Sequence, residues 1–127
     1  MRYKSKSKYN NVKVGKNASC KEARRGAELR LLLKAGVITY LREQVVFELI
    51  PNQYETYERY SKRGERLKDG RRLCERKCKY IADFVYTIAK TGETIVEDVK
   101  SPATRTKDYI IKRKLMYAVH SIKIKEV

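Results

Sequence analysis

The sequence predicts an α/β fold in which the elements follow the order α-β-β-β-α-β. Two segments have the capping residues and apolar spacing of helices, and four segments have the β-branched residues or the alternation of strands. The chain has 127 residues, of which 42% are hydrophobic, so it can form one modest core. We therefore expect a single domain over residues 18–127, preceded by a basic arm at residues 1–17.

The first helix is predicted to begin at the capping box Ser19-Cys20-Lys21-Glu22 and to end at Gly36. Its inward face is expected to include Glu22. Helical steps from Glu22 along that face reach Gly26, Leu29 and Leu33. A glycine inside a helix costs about 1 kcal/mol relative to alanine, so Gly26 indicates that another element approaches closely there. Capping alone would also explain Glu22.

A strand over 41–50 is expected next, ending before Pro51. Residues 53–79 contain ten basic and five acidic residues without clear periodicity, and predict either a charged helical turn or an extended excursion. Three tyrosines recur there at a spacing of three, which suits either packing or stacking on bases. They are Tyr54, Tyr57 and Tyr60.

The segments YIADFVYTIAK and ETIVEDVK predict a β-hairpin. If Thr91-Gly92 is a two-residue turn, Asp83 lies opposite Lys100, and Val85 lies opposite Asp98. Alternation along the strands then places Asp83, Asp98 and Lys100 on one face.

A second helix is expected over 104–119, with Thr104 or Thr106 as the N-cap. Its apolar stripe would contain Ile111, Leu115 and Ala118. The alternating tail at 120–127 predicts a last strand.

The charge distribution predicts a polyanionic partner. Lysine and arginine number 31 against 15 acidic residues, giving a net charge of +16. Nucleic acid is favoured over an anionic membrane surface. No apolar run approaches the roughly 18 residues that span a bilayer, and the start of the chain lacks a signal-peptide pattern. Three cysteines are an odd set, typical of a reducing compartment. We therefore expect a soluble cytoplasmic protein without a membrane partner.

Asp83 and Asp98 on neighbouring strands would repel each other, and a divalent cation between their oxygens relieves such repulsion. Lys100 would add a compact positive charge to the same site. Carboxylates that hold Mg²⁺, together with a lysine that stabilises charge on phosphorus, are the groups needed to hydrolyse a phosphodiester.

These residues resemble the motifs of the PD-(D/E)XK nuclease superfamily. More narrowly, EARRGAELRLLLKAGVI, YIADFVY and VEDVK are similar to a small family of uncharacterised phage-encoded, endonuclease-like proteins. The resemblance implies a restriction-endonuclease-like core with a mixed sheet flanked by helices. It also implies an Mg²⁺-dependent DNA endonuclease, with Mn²⁺ able to substitute, acting as a homodimer on duplex or branched DNA such as a Holliday junction.

Carried over to this chain, the resemblance assigns catalytic roles to Glu22, Asp83, Asp98 and Lys100. It makes Asp83, Asp98, Glu22 and the Val99 carbonyl the metal ligands, with Gln44 as a secondary candidate. The chain has Ala82 where many members have proline, and Asp98 where glutamate is commoner. Neither change removes a ligand.

Several lysines and one arginine are expected to contact phosphates. They are Lys4, Lys6, Lys8, Lys107, Lys112, Arg113 and Lys114.

Other interpretations of the same residues stay open. Asp98 and Lys100 could form a simple cross-strand charge set with Glu97, although Glu97 is expected to face away from Asp98. A zinc site would have to combine Cys20, Cys74, Cys78 and His120, at spacings that match zinc motifs poorly. The protein could instead bind nucleic acid without cleaving it, or bind an acidic protein partner.

Overall fold

A computed structural model of the chain describes residues 20–127. The helices are α1 (Cys20–Lys34) and α2 (Lys107–His120), and the strands are β1 (Ile38–Ile50), β2 (Gln53–Tyr60), β3 (Arg66–Glu75), β4 (Cys78–Ile88), β5 (Thr94–Asp98) and β6 (Lys125–Glu126). The basic arm at 1–17, the expected cap Ser19, and the phosphate contacts Lys4, Lys6 and Lys8 lie outside the described residues. No helix within 20–127 is long and apolar enough to cross a membrane.

The main sheet has the strand order β1-β4-β5-β6. The first two pairings are antiparallel, and β6 runs parallel to β5. The α/β class and the mixed sheet are therefore confirmed. The expected element order is also present, with β2 and β3 inserted between β1 and β4 as a separate two-stranded ribbon.

Helix α1 packs through Glu22, Gly26 and Leu29, which are all buried. A Cβ atom at Gly26 would lie only 3.3 Å from Cζ of Phe84, so the close approach expected from this glycine is confirmed. The inward position expected for Leu33 is wrong, because this side chain is 41% exposed. Leu32 packs against the core instead, since it lies one turn beyond Leu29 at a spacing of three.

Near Asp83, the even-numbered side chains of strand β4 change from packing toward α2 to packing toward α1. Tyr80 and Ala82 pack in the cluster that contains Met116 of α2, whereas Phe84 and Tyr86 pack in the cluster that contains Leu29 of α1. In a regular strand these alternate positions would all share one face. Asp83 therefore lies at the point where strand β4 passes from one core cluster to the other.

The hairpin register differs from the expected one. The Ile88 N–H donates to the Glu93 carbonyl over 2.8 Å, so the loop contains residues 89–92 and not Thr91-Gly92 alone. Val85 consequently pairs with Val96, a shift of two residues from the expected partner Asp98. A shift of two preserves the faces of a strand, because side chains alternate with period two.

The excursion at 53–79 is extended, so the helical alternative is wrong. In α2 the expected cap is confirmed, since the Thr106 hydroxyl accepts from the Tyr109 N–H. The expected stripe is confirmed at Leu115, which packs against the core, and wrong at Ile111, which is 56% exposed, and at Ala118, which is also exposed. Tyr109 and Met116 are the buried residues of the helix. The tail forms only the two-residue strand β6 because α2 continues to His120.

Candidate active site

The four predicted catalytic residues line one cavity of about 440 Å³. They reach it from three parts of the fold: the first turn of α1, the middle of β4, and the end of β5 with the residue pair that follows. The described lining includes Glu22, Asp83, Asp98, Val99 and Lys100. The structure therefore brings the expected set together although its members are far apart in the chain.

Asp98 is the most constrained member of the set. Its side chain accepts a hydrogen bond from the Tyr80 hydroxyl over 2.5 Å at Oδ2, and Lys100 Nζ lies 3.2 Å from Oδ1. Lys100 also lies over the Tyr109 ring, 4.2 Å from its centroid, where the ring face attracts a cation. Burial and the hydrogen bond to Asp98 raise the pKa of Tyr80, so its hydroxyl stays protonated and acts as a donor.

Asp83 accepts from the Val99 N–H over 2.8 Å, which ties β4 to the chain just after β5. Burial raises the pKa of the Asp83 carboxyl to about 7, and its contact with Asp98 and the negative charge of Glu22 act in the same direction. The backbone hydrogen bond from Val99 opposes this shift. Because its acidic neighbours disfavour the ionised form of Asp83, a cation at this site would be stabilising.

Gln44 connects two of these carboxylates. Its amide nitrogen lies 3.0 Å from Oε1 of Glu22 and 3.4 Å from Oδ1 of Asp83. Its φ is 53°, in the left-handed region that a non-glycine residue adopts at a cost. Strain at a residue that touches two site carboxylates is typical of functional positions.

The carboxylate oxygens of Glu22, Asp83 and Asp98 are the ligand type that Mg²⁺ prefers. In the part of the chain that the structure describes, however, no three acidic, histidine or cysteine side chains are close enough to hold a metal ion as they stand. Asp98 is bound by Lys100 and Tyr80, so a cation would replace contacts of this kind. The cysteines and His120 form no such group either.

Glu97 lies outside this site, as expected, and faces the opposite side of β5. It is 0% exposed and accepts from Arg25 Nε over 2.9 Å and Nη2 over 2.6 Å. The Tyr86 hydroxyl donates to it over 2.6 Å. Burial alone would raise the pKa of Glu97, but the hydrogen bonds from Arg25 and Tyr86 outweigh burial and lower it.

The residues expected to bind phosphates differ in their surroundings. Lys112 lines the cavity, whereas Lys107 and Lys114 are exposed on the same helix. Arg113 is bound to Glu126 over 2.7 Å, so it is less available to a phosphate than expected.

Sequence reasoning missed Lys79, Tyr80 and Tyr109, which also line the cavity. A tyrosine three residues before Asp83 in an apolar strand was an available signal for Tyr80. Nothing local in the sequence indicated that Tyr109 would lie beneath Lys100.

A family model described as "Protein of unknown function (DUF1064)" matches residues 2–126. The chain belongs to this family. No curated protein and no solved structure matches this chain. The DUF1064 description names no activity, so the function has to be argued from the cavity and its residues.

Proposed function

We propose that this protein is a metal-dependent DNA endonuclease of the PD-(D/E)XK type. The observation that carries the proposal is the meeting of Glu22, Asp83, Asp98 and Lys100 in one cavity. The order α1, β1, β4, β5, α2, β6 supports it, since it matches the order implied for a restriction-endonuclease-like core. The choice of phosphodiester hydrolysis as the reaction follows from the resemblance of these motifs to those of nucleases.

In this proposal Mg²⁺ is held by Asp83 and Asp98, with Glu22 and the Val99 carbonyl completing the protein ligands. When held by these residues, Mg²⁺ would supply a Lewis acid for the scissile phosphate and would lower the pKa of the attacking water. Mn²⁺ prefers similar ligands and is expected to substitute.

The protein groups have separate tasks. Tyr80 holds the Asp98 carboxylate through its short hydrogen bond, and Gln44 holds Glu22 beside Asp83. Lys100 stabilises the negative charge that develops on the phosphoryl oxygens as water attacks. Its position over Tyr109 keeps its ammonium group at the cavity when the contact with Asp98 is exchanged for a cation.

The net charge of +16 supports a polyanionic substrate. The chain has no recognisable module that reads base sequence, so we propose recognition of backbone and shape, as in branched or Holliday-junction DNA. A homodimer would supply two active sites for two strands. A phage-encoded enzyme of this kind would act in the cytoplasm of its bacterial host.

The test is cleavage of a labelled panel that contains linear duplex, single strand, flap and four-way junction, with Mg²⁺ or Mn²⁺. The expected result is metal-dependent cutting by the parent protein and none by Asp98→Asn. The matched control is Glu93→Gln, which makes the same carboxylate-to-amide change at an exposed residue beside the hairpin loop. Cutting by Asp98→Asn, or failure of the parent on every substrate, would contradict the proposal.

A second candidate function is nucleic-acid binding without cleavage. It is favoured by the contacts of Lys100 and Tyr80 with Asp98, which already compensate this carboxylate within the protein. In that case the panel would show salt-sensitive binding in EDTA and no cutting with either metal.

A further inference from the structure

The β2–β3 ribbon is separate from both hydrophobic cores. All residues of β2 are exposed, and Gly70 is the one buried residue of β3. The ribbon shares no ladder with the main sheet, and neither core cluster contains its side chains. An isolated two-stranded hairpin is only marginally stable in water, so this insertion is not explained by packing.

The ribbon is held by its own cross-strand contacts. The Tyr57 ring covers Gly70, where a Cβ atom would lie 2.3 Å from the tyrosine Cζ. On the same pair of strands the Arg71 guanidinium lies 3.7 Å from the Tyr54 ring centroid. These contacts fix the backbone and keep Arg71 extended along the surface.

The ribbon has a modest excess of positive charge, because residues 53–75 contain seven basic and five acidic side chains. Glu55 is bound to Arg72 over 2.7 Å, and Asp69 is bound to Arg66 over 2.8 Å. Five other basic side chains of the ribbon form no ion pair with any residue in 20–127. They are Arg59, Lys62, Arg63, Lys68 and Arg71.

The shape and the charge of the ribbon both suit a nucleic-acid duplex as its partner. Strands of eight to ten residues span about 30 Å, and the major groove of a duplex admits a two-stranded ribbon. The turn at 61–65 carries Lys62 and Arg63 at the end of the ribbon, where the Ser61 N–H donates to the Glu65 carbonyl over 2.8 Å. Arginine and lysine side chains in this arrangement bind phosphates.

We infer that the β2–β3 ribbon is a second contact surface for duplex DNA, separate from the cavity at Asp98. Lys62, Arg63 and Arg71 bind phosphates on the duplex to either side of the groove. The inference rests on the proposed function for its choice of DNA, and it adds an arm that holds the substrate without taking part in cleavage.

The test is binding of a labelled linear duplex in EDTA, measured by fluorescence anisotropy over a range of salt concentrations. The double variant Lys62→Gln with Arg63→Gln removes two exposed charges from the turn. Its matched control is Lys34→Gln with Lys90→Gln, which removes two exposed charges that lie outside the ribbon. Circular dichroism checks that both proteins are folded.

The expected result is weaker binding by the ribbon variant, with the slope of log K against log salt reduced by about 2, or about 1 for each phosphate contact. The control should keep nearly the parent slope. Equal slopes for both variants would overturn the inference, even if the parent cuts DNA. A reduced slope would support it even if the parent cuts nothing, so the two proposals fail separately. If the ribbon variant changes only the mass measured by sedimentation, the partner is a second copy of this chain and the inference is wrong.

Discussion

Glu97 and Asp98 are consecutive residues of β5, both buried, and their surroundings are opposite in kind. Glu97 is bound by the Arg25 guanidinium and the Tyr86 hydroxyl on the side of α1. Asp98 meets Tyr80 and Lys100 at a cavity that it shares with Asp83. Glu97 is held at both carboxylate oxygens by one arginine, whereas Asp98 has a single contact with a lysine and also lies beside a second acid.

Under the proposed function, the difference separates a structural charge from a catalytic one. The pKa of Glu97 is lowered by its partners, so its ionised form is stable in the fold. The pKa of Asp83, next to Asp98, is raised by burial and by its acidic neighbours, so a positive charge bound nearby would favour its ionised form. Burial of a carboxylate is therefore a poor guide to function unless its partners are also known.

The largest effect is expected from Arg25→Ala, which leaves Glu97 buried without its main partner. Breaking a buried ion pair in this way costs about 3 kcal/mol or more of unfolding free energy. Urea denaturation measures the loss. The control is Arg30→Ala, which ends the more exposed pair with Glu43 and should cost less than about 1 kcal/mol. Equal losses in the two variants would show that Glu97 is not the structural charge described above.

On the other face, Lys100→Met should reduce cleavage by at least about 100-fold, because one positive group that stabilises the reacting phosphate is lost. Initial rates with saturating Mg²⁺ measure the effect, and Lys90→Met in the exposed hairpin loop is the matched control. Unchanged rates in Lys100→Met would remove this lysine from the proposed mechanism.

The carboxylates on the two faces of β5 should also differ in how they affect stability at low pH. The pKa of Glu97 is lower in the folded protein than in the unfolded chain, so its contribution to stability is present above the unfolded value of about 4.3. That contribution is lost as the pH falls through the folded pKa. Denaturation midpoints of the parent should therefore fall more steeply below about pH 4 than those of Glu97→Gln. Parallel curves would contradict the shift.

Gln44 offers the smallest and most specific change. Gln44→Ala and Gln44→Gly both remove the contacts with Glu22 and Asp83, but only glycine adopts a φ near 53° without strain. Gln44→Gly should be more stable than Gln44→Ala by about 1 kcal/mol. If alanine were as stable as glycine here, the left-handed conformation of Gln44 would not be a source of strain.

Local patterns in the sequence predicted the order of the main elements and the charged residues expected to be catalytic in the cavity, namely Glu22, Asp83, Asp98 and Lys100. Caps, apolar spacing and β-branched runs depend on neighbouring residues, so the Thr106 cap and the close approach at Gly26 could be found directly. Asp83 and Asp98 were found because a shift of two residues in register leaves their faces unchanged.

Features that depend on distant contacts were missed. Arg25 and Glu97 are 72 residues apart, and no local pattern connects them. The face reversal near Asp83 depends on the irregular backbone of β1 at Gln44, which alternation cannot reveal. The strands at 53–79 escaped detection because nearly all their side chains are exposed, so they lack the apolar alternation of a packed sheet.

The most direct test of the central claim compares three proteins in one assay: the parent, Glu97→Gln and Asp98→Asn, each at the same folded concentration with Mg²⁺ and a labelled four-way junction. The account predicts metal-dependent cutting by the parent and by the folded fraction of Glu97→Gln, and at least a 100-fold loss in Asp98→Asn, about the size expected for one group that stabilises the transition state. Equal cutting by Asp98→Asn and the parent, or no cutting by the parent, would contradict it.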